Sequence, residues 1–224
     1  MGEDFEVGKT AAVFLDRDGT INEEVGYLDS LEKLRMIPEA FDAIRLINQS
    51  GMKAVVISNQ SGVARGYFDE AFVETVHDRI QSLLKEHGAW IDRFYYCPHH
   101  PTEGTGVYRT ACACRKPEAG LLFRASQEMG IDLARSYMVG DMPKDIEAAG
   151  KAGAKGILVR IGKLGTAPLL CRRKIGALSP FSASLERRKI FDSPLANHFS
   201  SVQPDYIADN ILDAVTWIMK DREK

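Results

Sequence analysis

The sequence has no apolar run approaching the ~18 residues that a membrane span requires, which argues against a transmembrane protein. It also lacks an excess of charge of either sign, since 29 Lys and Arg stand against 31 Asp and Glu and the formal net charge is -2. A chain so close to neutral has no global attraction to nucleic acid or to anionic lipid. These two absences exclude nucleic acid and membranes from the expected partners.

An export signal is not expected either, because the first residues are acidic and contain no long apolar stretch. Cysteine is scarce: there are four in 224 residues, and Cys97, Cys112 and Cys114 lie within eighteen positions alongside His99 and His100. In a chain without an export signal, clustered Cys and His are more often metal ligands than a disulfide framework. We therefore expect a cytoplasmic protein with a Cys/His metal site.

The residues that are present describe an ordinary globular protein, 45% hydrophobic and 27% charged, with enough apolar side chains for a substantial core. Short runs rich in Val, Ile and aromatic residues alternate with longer amphipathic stretches. This alternation predicts an α/β fold in which a parallel sheet carries helices on both faces. The predicted strands are 11–15, 53–58, 94–96, 137–140, 156–160 and 206–208.

Two stretches interrupt the alternation within the single domain that we predict for residues 1–224. Residues 97–117 are rich in Gly, Pro, Thr and Cys and have no usable periodicity, so they are predicted to form a loop. Residues from about 165 to 204 mix Ser and Pro with basic clusters. This second stretch is long for a loop, and a helical insert, a flexible excursion and an oligomer contact all remain open.

Two carboxylates follow the first predicted strand. In parallel sheets ligands bind outside the carboxyl ends of the strands, which is where Asp16 and Asp18 stand. On extended backbone their side chains point to one side, roughly 6–7 Å apart. Buried together they are costly unless they share a cation or a proton, so we interpret them as a Mg²⁺-bound nucleophile and a general acid/base. The simpler alternative is an Asp-rich turn that caps a helix.

Other strand ends add polar groups to the same predicted edge of the sheet. Ser58 follows the second strand, Asp141 follows the fourth, and Asp145 comes four residues later at the expected start of a helix. Lys116 lies on the intervening loop. Each of these alone has a simpler structural explanation, such as a turn, a helix-start acid or a solvated base. Together they predict a site for a hard cation and a phosphate group.

The order of these residues resembles the four motifs of the haloacid dehalogenase superfamily of phosphotransferases, over about residues 11–162. The motif residues are Asp16, Asp18, Ser58, Lys116, Asp141 and Asp145. More narrowly, residues 14–22, 58–66, 97–101 and 112–117 resemble the D-glycero-D-manno-heptose 1,7-bisphosphate phosphatases, relatives of the histidinol-phosphate phosphatases. The resemblance implies a Rossmann-like sheet with no large cap domain and a zinc-stabilised loop.

The resemblance also implies roles for the motif residues. Asp16 would attack phosphorus and form an aspartyl phosphate, and Asp18 would protonate the leaving oxygen and then deprotonate water. Ser58 and Lys116 would stabilise the transferring phosphoryl group. Catalytic Mg²⁺ would be held by Asp16, the Asp18 carbonyl, Asp141 and Asp145.

A structural zinc site and a substrate-binding set follow from the same resemblance. Zinc would be held by Cys97, His99, Cys112 and Cys114, with His100 as the competing imidazole. Arg115 would bind the distal phosphate, and further substrate contacts would come from Asn59 and from the entrance residues Glu24, Val25, Gly26 and Tyr27.

The expected activity is that of a hydrolase: a Mg²⁺-dependent phosphatase that removes the C7 phosphate of heptose 1,7-bisphosphate. Its expected pathway is the supply of nucleotide-activated heptose for lipopolysaccharide, its partner is the small sugar bisphosphate, and it is expected to be a monomer. Two alternatives remain, a histidinol-phosphate phosphatase and a non-catalytic, zinc-stabilised binding module.

Overall fold

The computed structural model describes residues 9–160 and 203–223, so almost all of the predicted insert at about 165–204 lies outside the described residues. A single sheet of six parallel strands in the order β3-β2-β1-β4-β5-β6 forms the centre of the described chain. The strands are β1 Ala12–Leu15, β2 Lys53–Asn59, β3 Arg93–Cys97, β4 Tyr137–Gly140, β5 Lys155–Val159 and β6 Tyr206–Ala208. The predicted α/β class is thereby confirmed, and no strand bound differs from the prediction by more than one residue.

Helices cover both faces of this sheet. They are α1 Pro38–Gln49, α2 Glu70–Glu86, α3 Gly120–Met129, α4 Pro143–Ala152 and α5 Ile211–Asp221, with short 3-10 turns at Leu31–Lys33, Gly106–Tyr108 and Leu133–Arg135. Residues of α1, α2 and α5 pack with Val13 and Leu15 in one core, and residues of α3 and α4 pack with Ala12 and Phe14 in the other. Successive residues of β1 thus enter opposite cores, which is why the strand is apolar at every position.

Local sequence signals set where several helices begin and end. The Asp69 side chain accepts a 2.8 Å hydrogen bond from the Phe72 N–H and caps α2, and proline is the first residue of α1 and α4. Gly130 ends α3 with a φ of 63°, a left-handed conformation that glycine adopts without strain. Among the described residues no helix is long and apolar enough to cross a membrane, and no large cap domain accompanies the sheet.

The strand order places the ends of β1 and β4 side by side. Connections lead from β1 outward to β2 and β3, and then from the other side of β1 outward to β4, β5 and β6. The main-chain N–H of Asp16 donates a 2.9 Å hydrogen bond to the Val139 carbonyl, so the residues that follow the two strands stay close. Such a reversal of strand order opens a crevice at the carboxyl edge of the sheet, where α/β proteins bind ligands.

Candidate active site

Three carboxylates meet at this crevice. Asp16 follows β1, Asp141 follows β4 and Asp145 lies in the first turn of α4, and oxygen atoms of all three lie within 4.8 Å of one another. All three residues are buried. Asp145 also accepts a 3.1 Å hydrogen bond from the Met142 N–H, so it caps α4 as a helix-start acid would. Asp145 therefore both caps α4 and belongs to the carboxylate cluster.

Two glycines make the close approach of these carboxylates possible. Gly19 has a φ of 81°, and a Cβ added to it would overlap the carboxylate of Asp141. A Cβ on Gly140 would overlap the carboxylate of Asp145 in the same way. Any larger residue at either position would displace a carboxylate or the main chain, since the overlapping atoms belong to the buried side chains of Asp141 and Asp145.

Lys116 is the cation of this cluster. Its Nζ lies 2.8 Å from Asp16 Oδ1 and 2.7 Å from Asp145 Oδ1, and it donates a 2.7 Å hydrogen bond to the Ile57 carbonyl. Burial would lower the pKa of Lys116, but the adjacent charges of Asp145 and Asp16 raise it, so the ammonium stays charged. The amide of Asn59 holds the lysine in place by exchanging two 3.0 Å hydrogen bonds with its main chain.

The charge of the cluster is suited to a divalent cation. One ammonium faces three carboxylates, and burial, followed by the charges of Asp16 and Asp145, raises the pKa of Asp141 to about 8. Asp141 Oδ1 is buried and has no hydrogen-bond partner among the described residues. Carboxylate oxygens are the ligands that Mg²⁺ prefers, so the residues present fit this ion.

Asp18 lies outside the carboxylate cluster and is enclosed by donors. Its Oδ1 accepts from Asn22 Nδ2 at 2.9 Å and from Arg17 Nη2 at 3.1 Å, and its Oδ2 accepts from Arg17 Nη2 at 3.0 Å and Gln60 Nε2 at 2.9 Å. Burial alone would raise the pKa of Asp18, but the Arg17 charge and these hydrogen bonds lower it. Asp18 is therefore held as an anion in this state.

Sequence analysis did not predict these three donors as partners of Asp18. Arg17 lies between the two aspartates in the sequence and is only 2% exposed. Asn22 and Gln60 are also buried. A signal was available, since buried polar side chains need partners and all three lie in the motif stretches 14–22 and 58–66.

A cavity of about 320 Å³ adjoins the cluster. The predicted site residues in its wall are Asp16, Asp18, Glu24, Gly26, Tyr27, Asn59, Arg115 and Asp141. Val25 is 41% exposed and is not part of the wall, and Ser58, Lys116 and Asp145 lie buried behind it. Two further cations line the cavity: Arg65, which the sequence suggests as a support or substrate-side cation, and Lys144, which was not predicted. With Arg17 and Arg115, four cationic residues stand in the wall, which suits a ligand that carries more than one anionic group.

A second cluster of possible metal ligands lies on the loop after β3. The Sγ atoms of Cys97 and Cys114 are 3.2 Å apart, those of Cys112 and Cys114 are 3.1 Å apart, and His99 Nδ1 lies 3.3 Å from the Cys114 Sγ. These separations are too long for disulfide bonds, and all three cysteines are free. The four ligand atoms lie within 4.8 Å of one another.

The donor set of this second cluster fits zinc. Three thiols and one imidazole match a tetrahedral structural site. Hydrogen bonding from Cys97, against the effect of burial, lowers the pKa of Cys114 to about 5, so this thiol readily becomes the thiolate that a metal binds. The His100 ring instead accepts a 2.9 Å hydrogen bond from the Glu103 N–H, which favours His99 over His100 as the ligand.

The Cys/His loop is connected to the cavity at two points. Arg115 Nη1 donates a 3.1 Å hydrogen bond to the His99 carbonyl. Arg65 forms an ion pair with Glu103 of the loop, and its guanidinium lies 5.8 Å from the centre of the Tyr27 ring. The loop thereby fixes two of the cations that face the cavity.

Replacing Lys116 by Met is expected to lower kcat by about 100-fold, because the buried ammonium is the charge nearest to Asp16. It should also make thermal stability depend more steeply on Mg²⁺, since three buried carboxylates would then lack a cation. Steady-state rates and melting curves with Mg²⁺ or a chelator measure both effects. Lys151→Met, at an exposed ion pair with Glu118, is the matched control. Equal rates in the two variants would contradict the role of Lys116.

The chain is similar to known phosphatases. A family model for HAD-like hydrolases matches residues 113–175. The chain is 45% identical over 158 residues to a D-glycero-beta-D-manno-heptose-1,7-bisphosphate 7-phosphatase from Salmonella typhi, covering 70% of this chain and 84% of that protein. The protein of the same name from Escherichia coli K12 is 45% identical over 154 residues, covering 68% and 80% of the two chains.

Solved structures show the same likeness. The D,D-heptose 1,7-bisphosphate phosphatase of B. bronchiseptica, complexed with magnesium and phosphate, superposes with a TM-score of 0.71 at 25% identity, over 95% of this chain and 99% of that one. A HAD-like phosphatase from Mesorhizobium loti gives a TM-score of 0.66 at 37% identity, over 68% and 74% of the two chains.

Proposed function

This chain belongs to the family of D-glycero-beta-D-manno-heptose-1,7-bisphosphate 7-phosphatases within the HAD-like hydrolases, and on that premise we propose that it hydrolyses the C7 phosphate ester of the β anomer of heptose 1,7-bisphosphate. The observation that carries the proposal is the convergence of Asp16, Asp141, Asp145 and Lys116 at the junction of β1 and β4, beside a cavity with four cations in its wall. A binding module would have no use for so many buried charges, because each is costly without a partner.

In the first step Asp16 acts as the nucleophile. One of its carboxylate oxygens bonds to phosphorus while the bond from phosphorus to the C7 oxygen breaks. Asp18 lies in the same cavity wall; it takes up a proton when the substrate binds and gives that proton to the departing alkoxide, which becomes the alcohol. Lys116, in contact with Asp16, neutralises charge on the transferring group. The products of this step are the heptose 1-phosphate and an aspartyl phosphate on Asp16.

In the second step water replaces the aspartyl oxygen on phosphorus. Asp18, now ionised, takes a proton from the attacking water, and the Asp16 carboxylate leaves as inorganic phosphate forms. The Arg17, Asn22 and Gln60 donors around Asp18 stabilise its ionised form, which is the form this step requires. Enzyme and Asp18 return to their starting protonation states, so the net reaction is hydrolysis of one phosphate ester.

Magnesium would be held by Asp16, Asp141, Asp145 and the main-chain carbonyl of Asp18, and when bound it would supply positive charge that lets an anionic nucleophile approach an anionic phosphate. Zinc would be held by Cys97, His99, Cys112 and Cys114 and would order residues 97–117, which have little apolar core of their own. These residues then form a zinc loop within a single phosphatase domain.

Arg115 is the proposed ligand of the distal phosphate at C1. It lines the cavity from the Cys/His loop, and its guanidinium is held by the His99 carbonyl. A second phosphate needs a second cation, which favours a bisphosphate over histidinol phosphate. Asn59 also lines the cavity, although its amide is engaged by the Lys116 main chain.

Steady-state kinetics with the two heptose 1,7-bisphosphate anomers and with histidinol phosphate test this function. We expect the highest kcat/KM for the β anomer and much weaker activity with histidinol phosphate, because only the bisphosphates engage Arg115. Replacing Arg115 by Met should raise KM for the bisphosphate by about 10–100-fold, the value of one charge-assisted contact. It should leave KM for histidinol phosphate nearly unchanged. Preference for histidinol phosphate in the wild type would reject the proposal.

A further inference from the structure

The buried side chain of Gln60 bridges two groups that the proposed reaction uses. Its Nε2 donates to Asp18 Oδ2 at 2.9 Å and to Ser58 Oγ at 2.5 Å, and its Oε1 accepts from Arg17 Nη2 at 2.9 Å. Gln60 is only 4% exposed, and its main-chain N–H donates to the Cys97 carbonyl at 2.8 Å. Main chain and side chain are therefore both fixed.

The orientation of the Gln60 amide is determined by its neighbours. The Arg17 guanidinium can only donate hydrogen bonds, so it must face the carbonyl oxygen of the amide. The two amide N–H groups are then directed at Asp18 and Ser58, and neither can be replaced by a flip of the side chain. Both N–H donors and the carbonyl oxygen of the Gln60 amide are therefore hydrogen-bonded to protein groups of the site.

We propose that Gln60 is a positioning residue that sets the Asp18 carboxylate and the Ser58 hydroxyl together for phosphoryl transfer. The inference rests on the roles proposed above for Asp18 and Ser58, and it deepens them by naming what orients these groups. Gln60 itself lines the cavity, but its polar atoms are engaged by protein groups, so it acts through its neighbours.

The effect on Ser58 follows from the chemistry of a hydroxyl. Ser58 Oγ accepts a hydrogen bond from Gln60, which turns one of its lone pairs toward the amide. The hydroxyl proton is then directed elsewhere, and phosphoryl oxygens can only accept hydrogen bonds. Gln60 therefore prepares Ser58 as a donor toward the phosphoryl group before the substrate arrives, which lowers the cost of reorganisation during reaction.

The effect on Asp18 follows from the geometry of its donors. Asn22 and Arg17 hold Oδ1, whereas Oδ2 is held by Arg17 and Gln60. Without the Gln60 donor, Arg17 would keep the carboxylate near its place but would no longer fix the direction of Oδ2. Proton transfer depends on that direction, because donor and acceptor must be aligned within hydrogen-bond reach.

The variant Gln60→Met tests the proposal, because methionine keeps the approximate shape of the side chain and removes both donors. Expected is a fall in kcat of about 100-fold with KM little changed, the size of effect typical of a misplaced acid/base or phosphoryl donor. Gln81→Met is the matched control: Gln81 also uses both ends of its amide, on the Ile91 main chain, but lies away from the site. It should lower the melting temperature and leave kcat unchanged.

Single-turnover phosphorylation with a series of aryl phosphates separates positioning from packing. As the leaving phenol becomes more acidic it needs less protonation, so the phosphorylation defect of Gln60→Met should shrink along the series. A defect of equal size for every leaving group, or a change in KM alone, would overturn the role through Asp18. Gln60→Glu keeps the acceptor for Arg17 and loses the donors, so it should be impaired like Gln60→Met; wild-type rates in it would overturn the proposal.

These outcomes are distinct from a failure of the proposed function. If the wild-type protein forms no phosphorylated Asp16 with any of these esters, the phosphatase reaction itself is rejected. If the wild type turns over and Gln60→Met does so equally well, only the positioning role is rejected.

Discussion

Replacing Asp16 by Asn is expected to reduce kcat by on the order of 10⁵-fold, because an amide cannot form the aspartyl phosphate and loss of a covalent nucleophile removes most of an enzyme's rate enhancement. The fold should remain intact. The amide has nearly the same shape as the carboxylate, and Lys116 keeps its 2.7 Å contact with Asp145. Removal of one negative charge from a cluster of three also lessens their mutual repulsion.

The measurement combines turnover with the mass of the protein quenched during turnover. Wild-type protein should gain one phosphoryl group and the Asp16→Asn protein none. Asp209→Asn is the matched control, since Asp209 pairs with Arg160 at an exposed site far along the chain from the cluster. Activity near that of the wild type in Asp16→Asn, with its melting curve unchanged, would exclude Asp16 as the nucleophile.

Replacing Cys112 by Ser is expected to weaken zinc binding by on the order of 10³-fold. Structural zinc sites with four ligands bind with about 10–16 kcal/mol in total, so the loss of one ligand removes a few kcal/mol. Cys112 is one of four ligand atoms within 4.8 Å, and no other Cys or His joins the group among the described residues. Without zinc, residues 98–111 should become more accessible to protease. The loop has little apolar core, so without the metal its three thiols and one imidazole would not hold it together.

Zinc content by elemental analysis and limited proteolysis measure these two effects. The same variant should raise KM for the bisphosphate, since Arg115 and Arg65 are held by His99 and Glu103 of the loop. Cys171→Ser is the matched control, because Cys171 stands outside the predicted ligand set. Full zinc occupancy in Cys112→Ser would show that Cys112 is not a zinc ligand. Zinc loss in Cys171→Ser would show that the loss of zinc does not depend on replacing a cysteine of the cluster.

The fold could be predicted from the sequence because its signals are local. A strand buried on both faces must be apolar at every position, as residues 12–15 are, and a helix between two strands must have an apolar stripe. Alternation of the two then allows few topologies, since parallel connections are right-handed and short. The boundaries followed from equally local features, such as the Asp69 cap and Gly130.

The candidate site was predicted only in part. Asp16, Asp141 and Lys116 were predicted as site residues because each stands next to a strand end or on a loop whose position the fold determines, and the structure brings them together. Arg17 and Gln60 were missed because nothing in their own residue types distinguishes a buried hydrogen-bond partner from a solvated side chain. Their function depends on a contact across 43 positions of the chain, and sequence spacing carries no information on that contact.

What the sequence by itself determined is the inventory: the six strands of the described residues, the amphipathic stretches between them, an Asp pair directly after the first strand and a Cys/His set on one loop, because propensity and periodicity act over a few residues. Only the tertiary structure decided which polar groups form ion pairs and hydrogen bonds with one another. The order of the strands brings the ends of β1 and β4 together, and burial there makes each carboxylate, the ammonium of Lys116 and the amide of Gln60 depend on one another. Electrostatic and hydrogen-bond energies depend on distance and on exclusion of water, and neither is defined until the chain is folded.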